Sequence, residues 1–235
     1  MNHPWQGTEK PLCLLILKYA TFLIISMSMK IIFTIILLIF YSVPLCFSQT
    51  AESYSESGVD KYLKGDYQGA IKDFNKAIQQ NPKNAEAYEA RAGARVGLKE
   101  YKEAILDYSK AIELNPSLAS AYIGRGKAKG AIKDHKSAIQ DYSTAIRLDP
   151  NDALAYVGRG LAKGNMSDYK GAIEDFDKAI QLNPKSKEAY YNRGVAKILS
   201  DQKDSGCSDL SKAGELGYAE PNEDIENFCT ESTKK

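Results

Sequence analysis

Small and apolar residues recur along most of this chain at intervals of three or four positions. One stretch has Ala104 and Ile105, then Tyr108, then Ala111 and Ile112. Residues with this spacing lie along one side of an α-helix, so the stretch predicts a helix with one buried stripe. The alanines indicate that a neighbouring helix comes close, and the aromatic residue fills the wider gap beside it. Corresponding stretches occur at 70–78, 138–146 and 172–180.

A fixed period relates these stretches to one another. Four prolines follow one another at intervals of 34 residues, namely Pro82, Pro116, Pro150 and Pro184. Each ends a similar six-residue segment such as AIELNP or AIQLNP. A fixed period of this length is typical of a solenoid, in which each repeat packs on its neighbours. Alignment on the prolines gives windows 51–84, 85–118, 119–152, 153–186 and a degenerate 187–220.

Each window contains the signals for two helices joined by a short turn. The first helix begins near a tyrosine and ends at a polar turn such as Lys133-Asp134. The second helix carries the apolar stripe and ends before the proline, which disfavours helical geometry in the preceding residue. The sequence therefore predicts an all-α fold of stacked antiparallel helix pairs. Residues 222–229, NEDIENFC, predict a short capping helix within the final segment 221–235.

Composition and charge exclude several classes of function. The chain has 235 residues, of which 43% are apolar and 26% charged, and its formal charge is +1. A near-neutral chain is poorly suited to hold nucleic acid through phosphate contacts. The only histidines are His3 and His135, which argues against most metal sites and against histidine-based catalysis. No paired carboxylates and no nucleophile with its base stand out from the repeat pattern, so we expect no enzyme activity, no cofactor and no metal.

The N-terminal fifty residues are predicted to direct export. After Met29-Lys30 comes an apolar run that ends near Pro44 and is followed by Ser48-Gln49, which is the layout of a secretory signal. We expect 29–48 to be a signal peptide that is cleaved after Ser48, which would place the protein in the periplasm or cell envelope. Residues 1–28 are then an N-terminal extension that is non-native or unstructured.

A membrane anchor is the alternative interpretation of this segment. Residues 30–47 number 18, which is the lower limit for spanning a bilayer, and an uncleaved anchor there would be the chain's only membrane contact. A lipoprotein is disfavoured, because Leu45 and Pro44 precede Cys46 where the processing site prefers small residues.

The repeat resembles the tetratricopeptide repeat (TPR) family. The family pattern W-x2-L-G-x2-Y…A-x3-F…P appears here as Tyr122-x2-Arg125-Gly126-x2-Lys129…Ala138-x3-Tyr142…Pro150. The resemblance covers 51–220 and, with the predicted signal, points to a bacterial exported member. It implies a right-handed α-solenoid in which first helices line the concave side, and a non-enzymatic scaffold that binds other proteins. Arginine and lysine stand here where the family pattern has leucine and the second tyrosine.

These charged departures from the pattern are predicted to be structural. An aspartate recurs at one phase of the second helix in all five windows, and an arginine lies on the first helix of four windows. We expect Asp–Arg pairs to form a ladder along the stack, although the sequence leaves open whether each pair lies within one window or joins two. A basic surface for an anionic ligand is the alternative. The residues assigned to the ladder are Asp107, Arg125, Asp141, Arg159, Asp175 and Arg193.

Two cysteines lie beyond the N-terminal segment. Cys207 takes the place of an isoleucine in the apolar stripe, and Cys229 lies in the predicted closing helix. Both are eleven residues from position 218, so an antiparallel hairpin centred there would bring them level. In an exported protein this predicts a Cys207–Cys229 disulfide, with two buried free thiols as the alternative.

The first helices also predict where a partner protein binds. If Tyr88 and Arg91 mark the packed face of a first helix, its opposite face falls at Glu89 and Val96, and the same positions in the other windows form an inner row. We expect this row to be a concave groove for an extended peptide or an amphipathic helix. The predicted groove residues are Tyr62, Glu89, Val96, Ile123, Lys127, Val157, Leu161, Tyr191, Val195 and Ile198.

Two alternatives to the groove remain at this point. The inner row is also consistent with ordinary exposed side chains or with packing between repeats. Self-association as a structural subunit of an envelope complex is the alternative function. The Lys and Asn pair with which some TPR proteins grip a C-terminal carboxylate has no matching set here.

Overall fold

The structure is a computed structural model that describes residues 51–218 and Cys229. The account below concerns the unit Tyr54–Lys235 together with residues 51–53, which begin its first helix. The predicted extension and signal at 1–48 lie outside the described residues. So does the predicted capping helix, apart from Cys229.

Ten helices and no strand occupy residues 51–218. They alternate between 13 and 14 residues in length from the second helix to the ninth. The helices are α1 (51–63), α2 (Tyr67–Gln80), α3 (Ala85–Gly97), α4 (Tyr101–Leu114), α5 (Ala119–Ala131), α6 (His135–Leu148), α7 (Ala153–Asn165), α8 (Tyr169–Leu182), α9 (Lys187–Leu199) and α10 (Lys203–Glu215).

Side-chain caps fix where many of these helices begin. Asp66, Asp134 and Asp168 each accept a hydrogen bond from the backbone N–H three residues further on, at the start of α2, α6 and α8. Asn84 and Ser186 do the same for α3 and α9. Such caps satisfy backbone donors that the first turn of a helix leaves free. The polar residues between the apolar stretches therefore set the helix boundaries.

A left-handed residue forms the turn inside each helix pair. The backbone angle φ is 78° at Gly65, and it is 63° to 65° at Lys99, Lys133, Ser167 and Asp201. Glycine adopts this conformation without steric cost, whereas other residues adopt it at the expense of about 1–2 kcal/mol. The same reversal in every window keeps the helix pairs in one geometry.

The helices pack in two layers along the stack. Each first helix contacts the second helix of its own window, and that second helix contacts the first helix of the next window, as in the run α3, α4, α5, α6. First helices also contact one another, as α5 contacts α3 and α7. The predicted all-α superhelix of stacked pairs is confirmed.

The core consists of alanines together with an aromatic ring of the second helix in each of the first four windows, and Leu210 takes the place of that ring in the fifth. Ala104, Ala111 and Ala138 are fully buried, which lets neighbouring helices approach closely. Phe74 and Phe176 are also buried, and each fills the space that the alanines leave. The isoleucines of the stripe, such as Ile71, Ile105, Ile139 and Ile173, are half-buried, as is Cys207 in their place.

Candidate partner-binding surface

In four of the five windows an aspartate is held by two cations of its own first helix, and in the first window Asp73 is held by Lys61 and the Ser57 hydroxyl. In the third window, Arg125 donates from Nε and Nη2 to both carboxylate oxygens of Asp141, at 2.9 and 2.7 Å. Lys129 Nζ lies 2.8 Å from the same carboxylate. Asp141 is 4% exposed, so the paired charges compensate for each other away from bulk water. The corresponding groups are Asp107 with Arg91 and Arg95, Asp175 with Arg159 and Lys163, and Asp209 with Arg193 and Lys197.

The same arginines also reach the preceding window. Arg125 Nη1 donates to Ser109 Oγ at 3.0 Å, and Arg159 Nη1 donates to Ser143 Oγ at 3.2 Å. Each guanidinium also lies 5.3 to 5.7 Å from the ring of the tyrosine three residues before it. The aspartate partner is therefore within one window, while the third contact of the arginine joins two windows. The nitrogen donors of these guanidinium groups are therefore occupied by contacts inside the stack.

Burial and pairing act in opposite directions on these carboxylates. Burial by itself raises the pKa of Asp209, but hydrogen bonds from Arg193 and Lys197 outweigh it and hold that pKa below its ordinary value of 3.8. The pKa of Asp73 is lowered in the same way, by Lys61 and Ser57 against the effect of burial. Both aspartates are therefore ionised in the folded protein at neutral pH.

The predicted inner row contains residues of two kinds. Tyr62 and Leu161 are 39% and 40% exposed, and Lys127 is exposed as well. Tyr62 belongs to α1, Lys127 to α5 and Leu161 to α7. Lys127 and Leu161 are at equivalent positions one window apart. The other seven predicted residues are half-buried, namely Glu89, Val96, Ile123, Val157, Tyr191, Val195 and Ile198.

Several half-buried residues of the row pack between windows. Val96 lies against the cluster around Tyr108, and Ile123 lies against the cluster that contains Tyr142 and Ala162. Val157 contacts two clusters, one around Tyr156 and one around Phe176. Packing between repeats therefore accounts for these three aliphatic side chains, and the exposed residues are left as the surface that a partner can reach.

The C-terminal end of the row is covered by the chain itself. The rings of Tyr191 and Tyr218 stack with their centroids 4.3 Å apart, and Lys187 Nζ donates to the carbonyl oxygen of Gly217 at 3.1 Å. Cys207 and Cys229 form a disulfide with their Cα atoms 5.7 Å apart. Cys229 comes 34 residues after Val195, so it has the position of a first-helix residue in a further window.

Two tyrosine–glycine pairs were missed by the sequence analysis. A Cβ atom at Gly124 would lie 2.3 Å from Cζ of Tyr108, and one at Gly158 would lie 2.4 Å from Cζ of Tyr142. Each glycine lies on the first helix of the window after its tyrosine. The sequence did contain a signal for these pairs. Glycine occurs at this first-helix position only where the core ring of the preceding window is a tyrosine, whereas Ala90 stands there after Phe74.

The described residues show neither of two other kinds of site. In this part of the chain, no cluster of three or more His, Cys, Asp or Glu side chains could hold a metal ion. Between residues 51 and 218, no helix has both the length and the apolar character needed to cross a bilayer.

Protein-family models match the repeat region of this chain. Family models described as "Tetratricopeptide repeat" and "TPR repeat" match residues 153–186 and residues 58–98, 94–133 and 131–167, respectively. Among proteins with curated descriptions, none has a significantly similar sequence.

Three solved structures illustrate the similarity. A structure of MamA is 30% identical, covers 68% of this chain and 93% of its own, and superposes with a TM-score of 0.62. YrrB, described as a TPR protein with an unusual peptide-binding site, is 20% identical, covers 79% of this chain and 97% of its own, with a TM-score of 0.62. The first TPR of Spaghetti (RPAP3), bound to the HSP90 peptide SRMEEVD, is 30% identical, covers 51% of this chain and 95% of its own, with a TM-score of 0.50.

The fold and the packed repeats define an α-solenoid of the kind that serves as a scaffold for protein–protein interaction. The chain belongs to the tetratricopeptide repeat family. Proteins of this family are generally interaction modules rather than enzymes.

Proposed function

We propose that this protein is an exported scaffold that binds a segment of a partner protein on the inner side of its solenoid. The observation that carries the proposal is the exposure of Tyr62, Lys127 and Leu161 on three first helices, in a row whose other residues are half-buried. Neighbours in the stack hold the backbone of this row in place, so binding does not require the surface to order itself. The similar TPR of Spaghetti is a structure with a bound peptide, which supports a peptide segment as the kind of partner.

Export is proposed from the signal-like segment 29–48 and from the disulfide. Disulfides persist in oxidising compartments such as the periplasm, and Cys207–Cys229 is a bond of this kind. Cleavage after Ser48 would leave a mature chain that begins at Gln49. Mass spectrometry of the protein isolated from fractionated cells tests this: an N-terminal peptide that starts at Gln49 supports export. A peptide from within 30–47 in the membrane fraction supports the anchor instead.

The surface is tested by placing a negative charge at exposed positions only. Val157 is unsuitable because it packs on two clusters, so Leu161→Glu and Lys127→Glu are the informative variants. Leu106→Glu is the matched control, because Leu106 is 69% exposed and belongs to the second helix α4. Affinity capture from envelope extracts should recover a partner with the wild type and with Leu106→Glu, and should lose it with Leu161→Glu.

Two results would contradict this function. Capture that is unchanged by both inner-row variants would remove the inner surface as the binding site. Light scattering that shows concentration-dependent association abolished by Leu161→Glu would favour self-association, in which a second copy occupies this surface.

A further inference from the structure

One edge of the solenoid carries an aliphatic side chain in every window. It is the edge at which each first helix turns into the second helix of its window. Leu63, Ile132, Met166 and Leu199 each lie one or two residues before the turn residue with positive φ, and all four are exposed. Leu98 is the half-buried equivalent in the second window. These five side chains, which we call the edge row, recur once per window along the stack.

The opposite edge of the solenoid lacks such a row. At that edge, where one window passes into the next, exposed large apolar side chains of the described residues flank only the turn at Pro150, namely Leu148 and Leu154. Adjacent windows also bring members of the edge row side by side, because α5 contacts both α3 and α7. Single exposed apolar side chains are normal on a protein surface, whereas apolar side chains gathered in one place indicate a contact surface.

Lysine side chains accompany the edge row. Lys99 and Lys133 occupy two of the left-handed turns, with φ of 63° and 65°, although glycine adopts this conformation without steric cost, as at Gly65. The turns and second-helix starts of the first four windows contain six exposed lysines that make no ion pair among the described contacts. They are Lys64, Lys99, Lys102, Lys133, Lys136 and Lys170.

Most carboxylates of the same segments serve the helices. Asp66, Asp134 and Asp168 accept hydrogen bonds from the first turns of α2, α6 and α8, so their charge offsets the partial positive charge at those helix ends. The remaining carboxylates in the turns and second-helix starts of the first four windows are Glu100 and Glu103. Six lysines against two glutamates give this part of the edge a positive charge.

We propose that the edge row is a docking surface for an anionic lipid membrane, into which its aliphatic side chains insert while the neighbouring lysines contact lipid phosphates. Ile132 and Met166 lie at equivalent positions of adjacent windows and are 41% and 51% exposed, so they form the centre of the contact. Lysine can lay its aliphatic stem along an apolar boundary and keep its ammonium group among the headgroups. Anionic lipids attract basic side chains close to the bilayer surface.

The form of the edge row favours a membrane over a protein partner. The core of a protein interface is apolar and depleted of charged residues. Here each aliphatic side chain is separated from the next by one window, and lysines lie between them. A fluid bilayer can surround each side chain separately at the boundary between headgroups and acyl chains, and it supplies phosphates to the lysines.

This inference goes beyond the proposed function, because the edge row and the inner row are different surfaces. The sequence pattern predicts membrane contact only through an uncleaved segment 30–47. A solenoid that rests on its edge needs no such anchor, and it leaves Lys127 and Leu161 accessible to a partner protein.

The test is flotation with lipid vesicles of the chain that begins at Gln49, which is the mature protein under the proposed cleavage. The buried apolar core of the described residues extends from Ala51 to Ala213, so this chain contains all of it. Vesicles of phosphatidylcholine and phosphatidylglycerol in equal amounts should bind the protein. Vesicles of phosphatidylcholine alone should bind it about tenfold more weakly, and added salt should weaken binding to the anionic vesicles.

Paired substitutions locate the contact on the edge. Ile132→Ser combined with Met166→Ser should weaken binding to anionic vesicles about tenfold or more, since each change removes an aliphatic side chain that the bilayer buries. Leu106→Ser combined with Leu154→Ser is the matched control, because both leucines are 69% exposed and lie away from this edge. The control should bind as the wild type does, and circular dichroism should show the same helicity in both variants.

Lysine substitutions test the charge in the same way. A triple variant with glutamine at Lys102, Lys136 and Lys170 should bind anionic vesicles about tenfold or more weakly. The matched control removes the same charge elsewhere, with glutamine at the exposed residues Lys72, Lys83 and Lys185. Its effect should be clearly smaller.

Three results would overturn the inference. The first is a wild-type protein that does not bind anionic vesicles. The second is equal weakening by a variant of the edge and by its matched control. The third is association between copies, without vesicles, that Ile132→Ser and Met166→Ser abolish, because a second copy would then occupy the edge row. Partner capture that is unchanged by the inner-row variants would contradict the proposed function and leave the membrane contact in place.

Discussion

Gly158 of α7 lies directly against the ring of Tyr142 from the preceding window. A Cβ atom at Gly158 would lie 2.4 Å from Cε1 and Cζ of that ring and 2.8 Å from its hydroxyl oxygen. Non-bonded carbon atoms prefer separations of about 3.5–4.0 Å, so no side chain fits there unless the ring moves. Where the ring is Phe74, the equivalent residue is Ala90, and it packs against the ring. The contact between neighbouring windows thus matches small residues to large rings.

Replacement of Gly158 by alanine should destabilise the stack. Overpacking typically lowers the free energy of unfolding by about 1–3 kcal/mol. Gly164→Ala in the same helix is the control, because its nearest neighbour would be Ala172 Cβ at an ordinary 3.9 Å. That change should raise the free energy of unfolding by up to about 1 kcal/mol, since alanine favours helix. Urea titration measures both. An equal stabilisation by the two substitutions would show that the Tyr142 ring moves aside without cost.

The aspartate ladder should couple within a window and not with the next window's arginine. Asp141 pairs with Arg125, whereas Arg159 pairs with Asp175. Loss of one partner of such a buried pair leaves an uncompensated charge, at a cost of about 3–5 kcal/mol. A double-mutant cycle of Asp141→Ala with Arg125→Ala should therefore give a coupling energy of about 1–3 kcal/mol.

The control for this cycle is Asp141→Ala combined with Arg159→Ala. Because Arg159 touches Ser143 and Asp175 but makes no ion pair with Asp141 among the described contacts, its coupling should be clearly smaller. Comparable coupling in both cycles would mean that the charges act through the whole stack rather than in separate pairs.

Acid should remove the contribution of the paired aspartates to stability. Burial alone raises the pKa of Asp209, but Arg193 and Lys197 lower it overall. A carboxylate with a lowered folded pKa stabilises the protein above its unfolded pKa, and this contribution is lost as the pH falls through the folded value. The difference in unfolding free energy between the wild type and Asp209→Asn should therefore be largest at neutral pH and shrink below a pH of about 4.

Asp201→Asn serves as the matched control for this pH series. Asp201 is an exposed residue in the turn before α10, and asparagine tolerates its positive φ. We expect a small difference from the wild type that does not shrink in acid. A constant difference for Asp209→Asn across the same pH range would contradict the role of its ion pairs.

Reduction of the disulfide should loosen the C-terminal end and leave the rest of the stack intact. Closing a loop between residues 207 and 229 is expected to contribute about 3 kcal/mol on the chain-entropy model. In a solenoid each repeat depends on its neighbours, so the loss should be local. Hydrogen exchange should therefore accelerate in α9 and α10 on treatment with dithiothreitol and remain unchanged in α4 and α5. Uniform acceleration along the chain would show that the stack unfolds as one unit.

The helical architecture could be predicted from the sequence because it depends on local patterns. The proline period gave the windows, and the left-handed turns fall where polar residues such as Lys133-Asp134 interrupt the apolar spacing. Recurrence at one phase also pointed to Asp141 and Arg125 as partners. Their assignment to the same window could not be predicted, because residues at fixed phases are compatible with contacts in either direction along the stack.

The inner row shows the limits of sequence reasoning most clearly. Val157 and Leu161 have the same apolar character and lie one helical turn apart, yet Val157 packs on two clusters and Leu161 is 40% exposed. The angle at which neighbouring windows meet decides which of them faces solvent, and that angle arises from the contacts between windows. The pairs Tyr108–Gly124 and Tyr142–Gly158 were missed for the same reason, since only the packed structure brings the ring of one window against the first helix of the next.

The sequence by itself determined the period, the helices, the turns and the residue types that had to be buried, because hydrophobic spacing and capping act over a few residues. The tertiary structure alone decided which arginine nitrogen reaches the preceding window, which row residues stay exposed and which glycines lie against the rings of Tyr108 and Tyr142. These depend on the distance and rotation between successive helix pairs, which are set by how alanine, glycine and aromatic side chains fit together in space.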